Sequence, residues 1–128
     1  MTMNIEHVAV WVHDLERMRR FYETYFGASA NDKYTNRHKQ FASYFLTFPE
    51  STCRLELMSR SDIQGEAMPT LGWAHVAFAL GSAQAVDELT ARLQADGYEL
   101  VDGPRLTGDG YYESVVHDPE RNKIELTI

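Results

Sequence analysis

Residues 5–12 (IEHVAVWV) are for the most part β-branched or aromatic, and valine recurs at every second position, with Val8, Val10 and Val12 on one parity and His7, Ala9 and Trp11 on the other. Such alternation predicts a strand with one face turned to a core. The period then changes. Leu15, Met18, Phe21 or Tyr22, and Tyr25 recur every three to four residues, which predicts an amphipathic helix. Asp14 offers an N-cap, and Gly27 sits where a left-handed C-terminal residue belongs. After a polar segment, FASYFLTF and TCRLELMS read as two strands joined at residues 49–51.

The second half repeats this order. Residues 73–80 (WAHVAFAL) predict a strand, and Ser82 is the next cap. Val86, Leu89 and Leu93 form the apolar stripe of a helix that Gly97 ends, and YELVD, YYESVVH and KIELTI read as three more strands. His7 to His75 and Asp14 to Ser82 both span 68 positions, Glu56 to Glu125 spans 69, and Gly27 to Gly97 spans 70. Polar residues match along with apolar ones, so the halves are an internal repeat. The pattern predicts one α+β domain over residues 1–128. Two βαβββ modules, 4–59 and 73–128, are joined by 60–72, and their eight strands curl around a cavity.

Parity assigns the faces. Val8, Val10 and Val12 answer Val76, Phe78 and Leu80, while Leu55 and Leu57 answer Ile124 and Leu126; these are core. His7, His75, Glu56 and Glu125 point the other way, with Ala9, Ala77 and Ala79 leaving room beside the histidines. Arg54 and Met58 share the parity of Glu56. A lone histidine or glutamate on a strand is usually a satisfied or solvated residue; the symmetric pairing singles out these four. A carboxylate in a part-buried concavity is costly unless it is paired or bound to a metal. Two imidazoles and two carboxylates form a set suited to Zn²⁺, Ni²⁺, Co²⁺, Mn²⁺ or Fe²⁺. His7, Glu56, His75 and Glu125 are therefore the candidate metal ligands.

Composition narrows the field. The formal net charge is −7, which argues against nucleic acid as a partner. No apolar run is long enough to span a bilayer, and the start MTMNIEH lacks the basic-then-apolar pattern of a signal peptide. The single cysteine, Cys53, allows no intrachain disulfide and fits a reducing cytoplasm. Its parity places it with Leu55 in the core. His13, His38 and His117 have no counterparts in the other half and read as surface or structural residues. Gly103, Gly108 and Gly110 read as loop glycines around Pro104, not as a phosphate loop.

Four motifs carry a resemblance that covers essentially the whole chain: EHVAVWVHDLERMRRFYETYFG, RLELM, HVAF and HDPERNKIEL. In this order and spacing the chain resembles the vicinal oxygen chelate superfamily, which includes glyoxalase I, bleomycin-resistance proteins, fosfomycin-resistance enzymes and extradiol dioxygenases. In ligand set it is most similar to glyoxalase I (lactoylglutathione lyase). That resemblance implies a metal-dependent lyase or isomerase, with Ni or Zn foremost. It moves a proton through an enediolate on a small carbonyl or hemithioacetal substrate. It implies Glu125 as the catalytic base and Glu56 as a ligand and second base. Trp11, Arg54 and Met58 are candidate substrate contacts, and a homodimer is usual in similar proteins. Trp11 stands where glutathione-using bacterial members typically carry an arginine, which leaves the thiol open. An epimerase, a fosfomycin thiol transferase, a dioxygenase and a metal-free drug-binding protein are the alternatives.

Overall fold

Capping chemistry fixes where the first helix starts and stops. Asp14 adopts an extended conformation and its carboxylate accepts the Arg17 N–H at 3.0 Å. Gly27, at φ 66°, ends the helix in the left-handed region, and its N–H donates to the Tyr22 carbonyl. The computed structural model describes residues 1–128, divided into two compact units, Met1–Gly65 and Glu66–Ile128. The division falls inside the predicted connector.

The first unit runs β1 (His7–Trp11), α1 (Leu15–Phe26), β2 (Ser29–Ala30), β3 (Tyr34–Asn36), β4 (Phe41–Thr47) and β5 (Arg54–Arg60). Its sheet has the order β1-β5-β4-β2, with β3 also paired to β4. Strands β1 and β5 are parallel, so that His7 lies opposite Arg54, Ala9 opposite Glu56 and Trp11 opposite Met58. Helix α1 packs on β4 and β5. Leu15, Met18, Phe21 and Tyr22 from the helix and Leu46, Leu55 and Leu57 from the sheet are buried. Each such side chain stabilises the unit by roughly 1.5–3 kcal/mol relative to exposure.

The second unit runs β6 (Val76–Ala79), α2 (Ala83–Ala95), β7 (Leu100–Leu106), β8 (Tyr112–His117) and β9 (Lys123–Thr127). The order is β6-β9-β8-β7, again with the first and last strands parallel, and Ala77 lies opposite Glu125. Ser82 caps α2 by accepting the Ala85 N–H at 3.1 Å, and Gly97 at φ 92° follows the C-terminal residue Asp96. Val86, Leu93, Val116, Ile124 and Leu126 are fully buried. No helix is long and apolar enough to cross a membrane.

The α+β class and the duplication stand as predicted, and several details differ. There are nine strands, in sheets of five and four, because the polar segment after α1 holds β2 and β3. At two and three residues these are too short to show alternation. His75 lies just before β6 and not within it. Gly103 and Pro104 belong to β7 and not to a loop. As an edge strand, β7 tolerates a proline, and its pairing with β8 is irregular between Asp102 and Arg105. Cys53 precedes β5 and is half-buried, its thiol 3.7 Å from the Arg54 carbonyl, so it is not a core residue. On α2 the fully buried neighbour of Val86 and Leu93 is Thr90, with Leu89 only half-buried.

Candidate metal centre

In the first unit α1 covers the face carrying Leu55 and Leu57, so Glu56 emerges on the opposite face beside His7 of the parallel neighbour. His7 Nε2 and Glu56 Oε1 are 3.7 Å apart, and the Glu56 side chain is only 15% exposed. Aromatic rings surround the pair. The His7 ring meets Phe45 edge-on at 5.1 Å, and Trp11 meets Phe41 edge-on at 6.2 Å. Arg54 lies over Phe45 at 4.1 Å and Arg60 over Trp11 at 5.0 Å. These contacts place Trp11 and Met58, its partner across β1 and β5, on the face that bears the His–Glu pair.

Arg54 is committed elsewhere. Its Nε donates to Glu6 Oε2 at 2.9 Å, and its Nη2 donates to Glu6 Oε1. The same Glu6 Oε1 lies 3.0 Å from His7 Nδ1. Hydrogen bonds from Arg54 first, and from His7 second, lower the Glu6 carboxyl from its ordinary 4.5 to about 2. Glu6 thus touches His7 and Arg54, a contact that alternation did not reveal, because Glu6 lies outside the strand and turns back toward its neighbour.

In the second unit His75 Nε2 and Glu125 Oε1 are 3.2 Å apart, with the Glu125 side chain 20% exposed. A further carboxyl joins this face. In the antiparallel β8–β9 pair, Val115 lies opposite Glu125 and Glu113 opposite Thr127, which sets Glu113 on the Glu125 side. Burial first, and then the charge and hydrogen bond of Glu125, push the Glu113 carboxyl up. The alternation of Glu113 and Val115 against buried Ser114 and Val116 was the available signal for it. His117 is structural: it is buried, and its Nδ1 lies 3.0 Å from Glu99.

The donor chemistry of each pair suits a divalent metal. Two ligand atoms each about 2.1 Å from one ion stand about 3.0–3.4 Å apart at octahedral or tetrahedral angles. The second pair, at 3.2 Å, falls in that range, and the first, at 3.7 Å, lies a few tenths of an ångström beyond it. No three or more His, Cys, Asp or Glu side chains are gathered into a group arranged to hold a metal ion. A cavity of about 510 Å³ in the first unit is lined by Val12, His13, Arg60, Ile63 and Gln64, and neither His7 nor Glu56 borders it.

An uncharacterized Pseudomonas aeruginosa protein is 30% identical over 99% of this chain and 89% of its own length. A possible glyoxalase from Bacillus cereus is 28% identical, with a TM-score of 0.75 over 99% of this chain and all of that one. A glyoxalase I variant from Zea mays is 25% identical, with a TM-score of 0.79 over 96% of this chain and 43% of that one. Enzymes of this group typically act on small molecules with the help of a divalent metal. The family model for these proteins matches residues 4–126, and the chain belongs to the Glyoxalase/Bleomycin resistance protein/Dioxygenase superfamily.

Proposed function

We propose that the chain is a metal-dependent lyase or isomerase of the glyoxalase I kind. The observation that carries this reading is the recurrence of one His–Glu pair at equivalent places in two duplicated units, at 3.7 and 3.2 Å. His7, Glu56, His75 and Glu125 are the proposed ligands of one Ni²⁺ or Zn²⁺, with Co²⁺, Mn²⁺ or Fe²⁺ as substitutes. The two pairs come from one chain or from the two chains of a homodimer. When bound, the metal supplies Lewis-acid stabilisation of the negative oxygen that develops beside a carbonyl.

The chain's own residues do the rest. A Glu125 oxygen takes the proton from the carbon that bears the hydroxyl and the sulfur and returns it to the former carbonyl carbon, while the hydroxyl proton passes to the former carbonyl oxygen, which converts a hemithioacetal to a hydroxy thioester with no net redox change. Glu56 is a ligand and second base. Trp11 and Met58 present an apolar surface to the substrate's tail, and Arg54 contributes through its stacking on Phe45. A soluble cytoplasmic protein suits such chemistry. Trp11 in place of an arginine favours a second reading, a metal-dependent enzyme whose substrate is not a glutathione adduct.

The test is calorimetric titration of chelator-stripped protein with Ni²⁺ and with Zn²⁺. One tight equivalent per complete site, lost in His75→Ala, is expected. The Glu125→Gln variant should keep its fold and lose about 10²–10⁴-fold in turnover of hemithioacetals. A native protein that binds no metal would end the enzyme reading and favour a metal-free drug-binding protein.

A further inference from the structure

The two His–Glu pairs are not equal. Repeat offsets of 68 for the histidine segment and 69 for the glutamate segment put Ala74 where Glu6 stands and Lys123 where Arg54 stands. The first unit therefore carries an acid–base pair behind its histidine, and alanine, which has no side-chain acceptor, holds the equivalent place in the second. The contacts run in a line. Arg54 donates twice to Glu6, Glu6 Oε1 meets His7 Nδ1 at 3.0 Å, and His7 Nε2 faces Glu56 Oε1 at 3.7 Å. The guanidinium itself rests over Phe45, whose ring the imidazole meets edge-on.

An ionised carboxylate can only accept hydrogen bonds. The Glu6 contact therefore requires the proton on Nδ1 of the neutral ring, which leaves Nε2 with its lone pair free. We propose that Glu6 is a positioning residue for His7, fixing the imidazole with bare Nε2 turned to Glu56, and that Arg54 holds Glu6 for this task. The purpose of that orientation depends on the metal-binding role proposed above; the orientation itself does not. Outer carboxylates behind a ligating histidine set its tautomer and ring angle, and their loss typically weakens metal binding about 10–100-fold. The first unit then presents a pre-oriented ligand pair, while in the second alanine stands behind the histidine. Arg54 acts on the site through Glu6 and is not a free cation awaiting an anionic substrate.

Nitrogen-15 correlation spectra of the imidazole rings read the tautomer directly in metal-free protein under alkaline conditions. Native His7 is expected to carry its proton on Nδ1. Glu6→Ala should shift it toward the Nε2–H form, and Glu6→Gln, whose amide oxygen still accepts, should largely restore the native signature. The His75 signals should not move. Calorimetric affinity for Zn²⁺ should fall about 10–100-fold in Glu6→Ala and less in Glu6→Gln. A native His7 protonated on Nε2, or a tautomer that ignores Glu6→Ala, overturns the positioning role whatever the affinity does. If the tautomer follows Glu6 but native protein binds no metal, the positioning stands and the metal reading falls.

Discussion

Thr90 and Ser114 tie helix α2 to the sheet through a polar contact inside an apolar core. Thr90 Oγ1 donates to the Val86 carbonyl at 2.6 Å and lies 2.7 Å from Ser114 Oγ, and both residues are at most 2% exposed. With Thr90's proton committed to Val86, Ser114 is the donor between the two hydroxyls. Thr90→Val keeps the shape and deletes the acceptor. Ser114 is then left as a buried hydroxyl without its partner, a loss of about 1–3 kcal/mol. Ser114→Ala removes only one bond, because Thr90 keeps its bond to the helix carbonyl, so its cost should be about 0.5–1.5 kcal/mol. In the double variant no orphan remains. Its cost should fall below the sum of the singles by about 1–2 kcal/mol, the size expected for contacting polar partners. Urea denaturation of the four proteins, followed by circular dichroism at matched slopes, measures this coupling. Additive costs, or a Thr90→Val variant as stable as the native protein, would refute the account of this contact as a mutually satisfied buried pair.

Two more predictions concern the scaffold. Burial raises the Glu16 carboxyl pKa, but hydrogen bonds from Tyr44 and Lys33 outweigh it and leave the pKa below its ordinary 4.5. The stabilisation is therefore present above about pH 4.5 and lost as pH falls through the lowered value. Glu16 is more than a third exposed, so Glu16→Gln should cost only about 0.5–1 kcal/mol at neutral pH, and the difference should vanish in acid melting curves. At Gly103, φ is 84° and an added Cβ would stand 2.6 Å from the Glu113 carbonyl oxygen. Gly103→Ala should destabilise by roughly 2–4 kcal/mol. Gly108→Ala, with nothing within 4 Å, should stay within about 0.5 kcal/mol, and equal melting temperatures for the two would contradict the clash.

Much of this architecture is legible in the residue pattern because burial and periodicity are the same physics. Val8, Leu57, Ile124 and Leu126 alternate with polar residues because a helix covers one face of each sheet and leaves the other. The caps Asp14 and Ser82 are equally readable, since each satisfies backbone donors within its own first turn. The pattern is silent where spacing does not carry the signal. Strands β2 and β3 are too short to show a period. Gly103 and Pro104 carry turn chemistry but sit on an edge strand, where pairing tolerates them. Thr90 is polar by type, yet is buried because Ser114 answers its hydroxyl. Of the site, each histidine and its glutamate lie side by side within their own unit, as parity requires. Glu113 shares the face of Glu125 by strand alternation, whereas the part of Glu6 depends on which neighbour it reaches, a fact of tertiary contact.

Both His–Glu pairs join the start of a unit to its last strand, across 49 residues from His7 to Glu56 and 50 from His75 to Glu125. Such closure is among the most distant in sequence that each unit makes, and distant contacts form late because the intervening chain must first be ordered. As the protein leaves the ribosome, its first histidine is exposed long before its glutamate has been made. An unfinished or truncated unit therefore lacks the His–Glu pair that the proposed metal would need. Under the proposed metal role, completion of the fold and competence to bind become one event, and a bound ion would register as slower unfolding.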